Sequence, residues 1–123
     1  MILVDTSVWV GHLRHGEAAL ADALMRSQVA IHPHVVLELA CSNLKNRQQV
    51  LELLQALPAV KVALDAEVMH LIESRSLMGR GIGFVDAHLC ASAILSGAQL
   101  WTRDKRLLAV AQALNVAWTE PVH

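Results

Sequence analysis

Aromatic residues are scarce in this sequence, which has three Trp, one Phe and no Tyr among 123 residues. Proteins that seat bases on stacking platforms, such as single-strand binders and RNA-recognition sheets, need several exposed aromatic rings. Recognition of nucleic acid by base stacking is therefore not expected. The core must instead be built from aliphatic side chains.

Charged residues are also sparse, at 17% of the chain, and they nearly balance to a net charge of −1. This balance excludes a broad basic surface for nucleic acid and a polybasic membrane anchor. The hydrophobic content of 54% excludes a disordered chain, which has too little to bury. We expect a single folded domain over residues 1–123, in which any phosphate contact comes from a local cluster or a bound metal.

Cysteines and long apolar runs are few as well. Cys41 and Cys90 lack metal-ligand spacing, which predicts two buried thiols in a reducing cytoplasm. The longest stretch without Asp, Glu, Lys or Arg, residues 87–102, has 16 residues, short of the roughly 18 that a membrane span needs. The first residues do not form a secretory signal. We therefore expect a cytoplasmic protein without a membrane partner.

Short aliphatic runs alternate with helical patterns along the whole chain, which predicts the α/β class. Continuous apolar strands indicate a central parallel sheet that helices cover on both faces, a doubly wound sandwich. The predicted strands cover 2–4, 29–32, 60–62, 99–102 and 116–118. The predicted helices cover 7–14, 17–27, 33–43, a segment from 46 or 47 to 57, 65–78, 84–96 and 105–114. Asp65 is the predicted N-cap of the helix over 65–78, and a glycine-rich loop over 79–83 follows that helix.

Three acidic residues stand alone in otherwise uncharged stretches. Histidine aside, Asp5 is the only charged residue before Arg14, Glu38 the only one in 27–44, and Asp86 the only one in 81–102. Isolated carboxylates are rarely buried without a partner. These three side chains therefore need something to neutralise them.

The predicted topology brings these acids and a fourth, Asp104, toward one edge of the sheet. Asp5 and Asp104 follow predicted strands, Glu38 lies two turns into a helix, and Asp86 is in the first turn of the central helix. Ligands of doubly wound sheets bind at this edge. Gathered carboxylates repel one another unless they are protonated or hold a cation, and oxygen ligands select hard ions such as Mg²⁺ or Mn²⁺.

Each acid also has a local interpretation. Asp5 is suited to an Asx-turn or a helix cap, and Asp86 to a favourable interaction with the helix dipole. Glu38 is suited to snorkelling toward solvent or to pairing with a distant arginine, and Asp104, among basic neighbours, to a solvated charge run. The four together favour the metal site.

The chain resembles the PIN-domain ribonucleases and, among them, the VapC-type toxins of bacterial toxin–antitoxin pairs. The resemblance spans the whole chain and depends on four segments in the family's order: MILVDTSVWV, VVLELA, FVDAHLCASA and LWTRDKRL. It implies a PIN-like sandwich, a metal-dependent endoribonuclease, inhibition of translation, and Mg²⁺ or Mn²⁺ as cofactor. The implied substrate is RNA, either tRNA or ribosomal RNA, and the implied partners are a VapB-type antitoxin and a second copy of the chain.

The resemblance also assigns roles to individual residues. Asp5, Glu38, Asp86 and Asp104 match the family's acidic quartet as metal ligands and catalytic residues, and Thr6, Ser7 and Thr102 match its small hydroxyl positions beside the metal. The last segment departs from the family pattern in having Leu107 and Leu108 where an aromatic residue is usual. Arg103 and Arg106 are unusually dense there, and two interpretations remain open: contact with an RNA phosphate, or pairing with acids elsewhere.

Other interpretations of the chain are weaker. A phosphorelay receiver and a haloacid-dehalogenase-type phosphatase each require a further Asp that is missing here. A non-catalytic PIN-like module that binds RNA or protein remains the alternative, although such modules typically lose acids of the quartet. The seven histidines form no HExxH motif, and we expect them to be surface or half-buried polar residues. The stripe Trp9, Val10 and Leu13 is either core or, in part, antitoxin surface.

Overall fold

The structure is a computed structural model that describes residues 1–120. Residues 121–123, which the sequence analysis includes in its single domain, lie outside the described residues. The elements are β1 (Ile2–Val4), α1 (Thr6–His15), α2 (Ala18–Met25), β2 (Val29–Ala30), α3 (Pro33–Ala40), α4 (Arg47–Ala56), α5 (Asp65–Ser74), α6 (Phe84–Ser96), β3 (Gln99–Trp101) and α7 (Lys105–Ala113). No helix of the described part is both long and apolar enough to cross a bilayer.

The three strands form a parallel sheet in the order β2-β1-β3. Leu3 and Val4 of the central strand β1 are fully buried, because helices cover both faces of the sheet. The main apolar cluster takes its members from β1 through α7. A smaller cluster of Ala63, Val68, Ala87 and Ala91 lies where α5 packs on α6. The predicted α/β class and the parallel sheet flanked by helices are confirmed.

Two predicted strands are reduced to single bridges at the sheet edges. Ile31 pairs with Ala59 beyond β2, and Leu100 pairs with Ala117 beyond β3. Residues 60–62 do not continue as a strand, because the amides of Lys61 and Ala63 donate to serine hydroxyls of α6 instead of a neighbouring strand. The sheet of the described residues therefore has three strands where the sequence predicts five.

Helix α5 starts and ends differently from the prediction. Leu64, not Asp65, is its N-cap residue, and the Glu67 carboxylate accepts the Leu64 N–H at 2.9 Å. The helix ends at Ser74 rather than at residue 78, because Ser76 adopts a positive φ of 53° and the Leu77 N–H closes onto the Ile72 carbonyl. Leu77 lies in the loop that follows the helix, and its side chain is nevertheless buried. The apolar periodicity of the sequence therefore continues past the end of the helix.

Helix α6 has the predicted bounds, Phe84–Ser96. Gly83 precedes it and Gly97 ends it at φ 62°, a left-handed conformation that glycine adopts without strain. Seven consecutive residues of this helix, Ala87 to Ala93, are buried, including Cys90. Burial raises the pKa of the Cys90 thiol to about 12, with Asp86 and Asp5 adding to the effect. Cys41 is exposed, so the expectation of two buried thiols was wrong for this residue.

Candidate active site

Asp5 is held by hydroxyl groups, not by a local turn. It occupies the N-cap position of α1, yet its carboxylate makes no capping hydrogen bond. The Oδ2 atom accepts from Ser7 Oγ and from Thr102 Oγ1, each at 2.7 Å, and the residue is only 6% exposed. Within residues 1–120, the Oδ1 atom has no hydrogen-bond donor. One carboxylate oxygen is thus fixed in place, and the other is available to a ligand.

Thr102 and Ser7 join the ends of β1 and β3. Thr102 Oγ1 accepts the Asp104 N–H at 3.1 Å while it donates to Asp5. Ser7 Oγ accepts the Arg103 N–H at 3.1 Å. The Thr102–Asp5 and Ser7–Arg103 bonds connect residues 97 and 96 positions apart, because β1 and β3 are parallel neighbours. The hydroxyl positions that the sequence assigned beside the acids lie in contact with them.

Glu38 approaches the same edge from α3. Its Oε1 accepts from Thr6 Oγ1 at 2.7 Å, a contact between residues 32 positions apart. The side chain is exposed, and it does not form an ion pair within the described part of the chain. The alternative of pairing with a distant arginine is therefore not realised there. Thr6 orients the Glu38 carboxylate in the way that Ser7 and Thr102 orient that of Asp5.

Asp86 shows most directly that the four acids share one region. It lies in the first turn of α6, is half-buried, and its Oδ2 accepts the Gly83 N–H at 3.4 Å. Burial raises the pKa of Asp86; the Gly83 hydrogen bond opposes this, and the charges of Asp5, Asp104 and Glu38 add to it. The quartet therefore forms one electrostatic cluster at the carboxyl edge of the sheet.

Asp104 caps α7. Its Oδ1 accepts the N–H groups of Arg106 and Leu107 at 2.9 and 3.0 Å, a helix cap that sequence reasoning did not anticipate. The signal was available, because an Asp directly after a strand and before a helical pattern is a common N-cap. The cap fixes one carboxylate oxygen of Asp104, Oδ1.

The donor set of the quartet fits a hard divalent cation. All four side chains are carboxylates, and their mutual repulsion at Asp86 is what a cation would relieve. Within residues 1–120, no three of the acids bring one oxygen each within 4.8 Å of one another. Mg²⁺ usually keeps several of its waters in proteins, so not every carboxylate has to contact the ion directly.

The Arg103 side chain pairs with acids outside the quartet. Its guanidinium lies between two carboxylates, pairing with Glu17 through both terminal nitrogens and with Glu120 at 2.5 Å. It also lies 5.9 Å from the Trp101 ring centre. Of the two interpretations left open, pairing with acids is the one found for Arg103. The sequence did not predict this group of ion pairs among Glu17, Arg103 and Glu120.

Arg106 packs over the glycine-rich loop before α6. A Cβ built on Gly81 would lie 2.6 Å from Arg106 Cδ, and Gly81 has a positive φ of 81°. Any larger residue at position 81 would displace the arginine and strain the loop. Arg106 forms no ion pair in the described part of the chain, so the phosphate interpretation remains a prediction for this residue.

Comparison with known proteins agrees with this architecture. The family model described as "PIN domain" matches residues 2–113. A protein named Ribonuclease VapC32, from Mycobacterium tuberculosis strains CDC 1551 / Oshkosh and ATCC 25618 / H37Rv, is 48% identical over 123 residues. That alignment covers 99% of each chain.

A solved structure shares the fold. The crystal structure of PAE2754 from Pyrobaculum aerophilum superposes with a TM-score of 0.57, at 19% identity, covering 93% of this chain and 88% of that one. At 19% identity, this structural similarity shows only that the two proteins share a fold. Together with the family match over residues 2–113 and the full-length relative at 48% identity, it confirms the resemblance on which the sequence analysis depended. The chain belongs to the PIN domain family, among its VapC-type members.

Proposed function

We propose that one PIN-like domain makes this protein an endoribonuclease that hydrolyses RNA phosphodiester bonds and acts as the toxin of a type II toxin–antitoxin pair, inhibiting translation. The observation that carries the proposal is the geometry at the end of the sheet, where the Thr102 hydroxyl bonds both the Asp5 carboxylate and the Asp104 amide. Burial raises the pKa of Asp86, and the charges of Asp5, Asp104 and Glu38 add to this effect. The name of the 48% identical relative, Ribonuclease VapC32, supports the same activity. A chain that retains all four acids is suited to catalysis rather than to binding alone.

The reaction proposed here depends on Mg²⁺ or Mn²⁺ held by the quartet. Asp5 and Asp86 are the direct ligands, and Glu38 and Asp104 are further ligands or hold the ion's waters. When bound, such an ion supplies Lewis acidity, which activates water and offsets the negative charge of the phosphoryl oxygens. The free Oδ1 of Asp5 is the oxygen available to it, since Oδ2 is already bound by Ser7 and Thr102.

The other residues of the site keep these carboxylates in place. Ser7 and Thr102 hold Asp5, Thr6 holds Glu38, and the Gly83 amide holds one oxygen of Asp86. Partners of this kind orient metal ligands and tune their affinity. Arg106, at the edge of the same site, is the proposed contact for an RNA phosphate, because a guanidinium matches phosphate geometry.

The test is cleavage of total bacterial RNA by the purified protein with Mg²⁺, Mn²⁺ or EDTA. We expect cleavage only with a divalent ion, and its loss in Asp5→Asn and Asp86→Asn. Removing one charge from a repulsive cluster costs the unliganded fold little, so both variants should remain folded by circular dichroism. Asp22→Asn is the matched control, because Asp22 is an exposed acid paired only with Arg26 in the described part.

The outcomes separate the two candidate activities. Full cleavage by the folded Asp5→Asn or Asp86→Asn variant would exclude the proposed site. A folded wild-type protein that cuts no RNA with any ion would favour the non-catalytic RNA- or protein-binding module. Mapping the new RNA ends would name the substrate, which we propose to be a tRNA or a ribosomal RNA loop.

The proposed antitoxin site is a groove beside α1. Half-buried Val10 and 38% exposed Leu13 line it together with the α3–α4 connection, and it encloses about 690 Å³. Trp9 of the same stripe is only 4% exposed and belongs to the core, so it is not part of the surface offered to a partner. We propose a VapB-type segment as the occupant of this groove. We also propose a homodimer, which sedimentation of the purified chain would test.

A further inference from the structure

Three histidines converge near the acidic cluster but outside it. One ring nitrogen each from His32, His34 and His88 lies within 4.8 Å of the others. His32 and His88 are only 0% and 6% exposed, so the expectation that the histidines are surface or half-buried residues was wrong for these two. The three come from the start of α3 and from α6, and the proposed function uses none of them.

His88 presents an unpaired nitrogen to this cluster. Its Nε2 lies 2.9 Å from Asp65 Oδ1, and because a carboxylate only accepts, Nε2 carries the proton. The lone pair is then on Nδ1, which is buried and has no hydrogen-bond partner in the described part of the chain. A carboxylate that fixes the far nitrogen of a histidine is the usual arrangement behind a metal-binding imidazole.

His34 presents a second unpaired nitrogen. Its Nδ1 is also buried without a partner among the described residues, although the residue as a whole is half-buried. Its ring centre lies 4.9 Å from that of His32, nearly parallel, and 4.9 Å from that of His88, nearly perpendicular. Burying a ring nitrogen without a partner is costly, so two such atoms in one cluster require an explanation. The exposed part of His34 gives access from solvent.

His32 completes the cluster as a neutral ring. Its Nδ1 accepts the His34 N–H at 3.0 Å, which places its proton on Nε2, facing Ser92 Oγ at 3.1 Å. Burial, together with His34 and His88, lowers the pKa of His32 to about 4. The ring therefore stays uncharged at neutral pH, as a metal ligand must. To bind a metal, it exchanges the backbone N–H for the ion and keeps its bond to Ser92.

We propose that His32, His34 and His88 form a binding site for a borderline transition-metal ion, Zn²⁺ above all, distinct from the oxygen-ligand site of the four acids. Imidazole nitrogen suits Zn²⁺, Co²⁺ and Ni²⁺, whereas Mg²⁺ selects oxygen. Tetrahedral Zn²⁺ with bonds of about 2.0–2.1 Å separates its nitrogens by roughly 3.4 Å. The nitrogens therefore approach one another by up to about 1.4 Å on binding. Solvent supplies the fourth ligand at the His34 side.

A metal ion bound by the three histidines would connect α3 and α6, the two helices that carry Glu38 and Asp86 of the acidic quartet. Glu38 lies one turn after His34 on α3, and Asp86 lies two residues before His88 on α6. An ion shared by these helices fixes α3 against α6. An ion that binds only the folded chain stabilises it by an amount that rises with the logarithm of the free ion concentration once this exceeds Kd.

The experiment uses untagged, full-length protein and Co²⁺ as a spectroscopic probe, in the absence of RNA. Tetrahedral Co²⁺ absorbs visible light far more strongly than the octahedral ion that a carboxylate site would hold. We expect a strong visible band at one Co²⁺ per chain that Zn²⁺ displaces and excess Mg²⁺ does not. His34→Gln and His88→Gln should abolish the band, whereas His70→Gln, at an exposed histidine of α5, should keep it.

A further variant guards against misfolding of the histidine mutants. Asp65→Asn keeps all three rings but weakens the partner of His88, and we expect about 10- to 100-fold weaker Zn²⁺ binding by calorimetry. Wild type without a tetrahedral band would overturn the proposal, as would equal loss in His70→Gln or unchanged affinity in Asp65→Asn. If Asp5→Asn abolished the band, the ion would belong to the acids. RNA cleavage is not a readout here, so failure of one proposal leaves the other standing.

Discussion

Replacing Thr102 by Val should weaken both the fold and the proposed metal site, because the Thr102 hydroxyl serves two groups. It donates to the Asp5 carboxylate at 2.7 Å and accepts the Asp104 N–H at 3.1 Å. A hydrogen bond to a charged group contributes about 1.5–3 kcal/mol, and an unsatisfied amide costs roughly 1 kcal/mol more. Valine has nearly the same shape, so the loss is electrostatic rather than steric. We expect the free energy of unfolding to fall by about 3 kcal/mol.

The metal dependence should change with it. Loss of an orienting hydrogen bond behind a metal ligand typically lowers metal affinity or activity about 10- to 100-fold. Urea unfolding followed by circular dichroism measures the first effect, and RNA cleavage against Mg²⁺ concentration measures the second. The Mg²⁺ requirement of Thr102→Val should shift upward while residual activity persists at saturation.

Two variants serve as controls for Thr102→Val. Thr102→Ser keeps the hydroxyl and should stay near wild type in Mg²⁺ requirement, although it loses one buried methyl group. Thr119→Val makes the same chemical change at an exposed position and should alter neither quantity. If Thr102→Val unfolded within about 0.5 kcal/mol of wild type and needed no more Mg²⁺, the hydroxyl would not be supporting Asp5.

Three further predictions follow from contacts outside the quartet. One thiol per native chain, that of exposed Cys41, should react with a disulfide reagent at pH 8, and two after unfolding, because the Cys90 pKa is raised to about 12; two fast thiols in the native protein would contradict its burial. Arg103→Met should lower the urea midpoint, because the Arg103 guanidinium pairs with Glu17, and the folded variant should still cleave RNA. A raised KM for RNA at unchanged stability would show instead that Arg103 contacts an RNA phosphate. Leu13→Glu should weaken antitoxin pull-down at least tenfold, about 1.4 kcal/mol, without loss of cleavage, and undiminished binding would place the antitoxin elsewhere.

The elements that sequence predicts best are those with local punctuation. Helix α6 has its predicted bounds because Gly83 and Gly97 mark both ends, and β1 because an uninterrupted aliphatic run meets Asp5. The convergence of the acids was also predictable, since parallel strands expose their carboxyl ends at one edge. Local chemistry and topology were sufficient for these features.

The contacts that sequence could not predict depend on packing between distant elements. The sequence near Lys61 and Ala63 does not indicate that their backbone N–H groups donate to serine hydroxyls of α6, which ends the strand. The pairing of Arg103 with Glu17 spans 86 positions, so its local sequence indicates only a basic cluster. The histidine trio is likewise invisible in spacing, because His88 meets the other two only after α6 packs beside α3.

The pairing of β1 with β3 has a consequence for the timing of folding. The hydrogen bond from Thr102 to Asp5 joins residues 97 positions apart, so the site depends on a contact between distant parts of the sequence. A nascent chain that ends before β3 has the Asp5 carboxylate and the Ser7 hydroxyl, but it lacks the Thr102 hydroxyl and Asp104. Its central strand also lacks one neighbour, which leaves the sheet incomplete. The acidic site is therefore incomplete on a growing chain until β3, Thr102 and Asp104 have been synthesised.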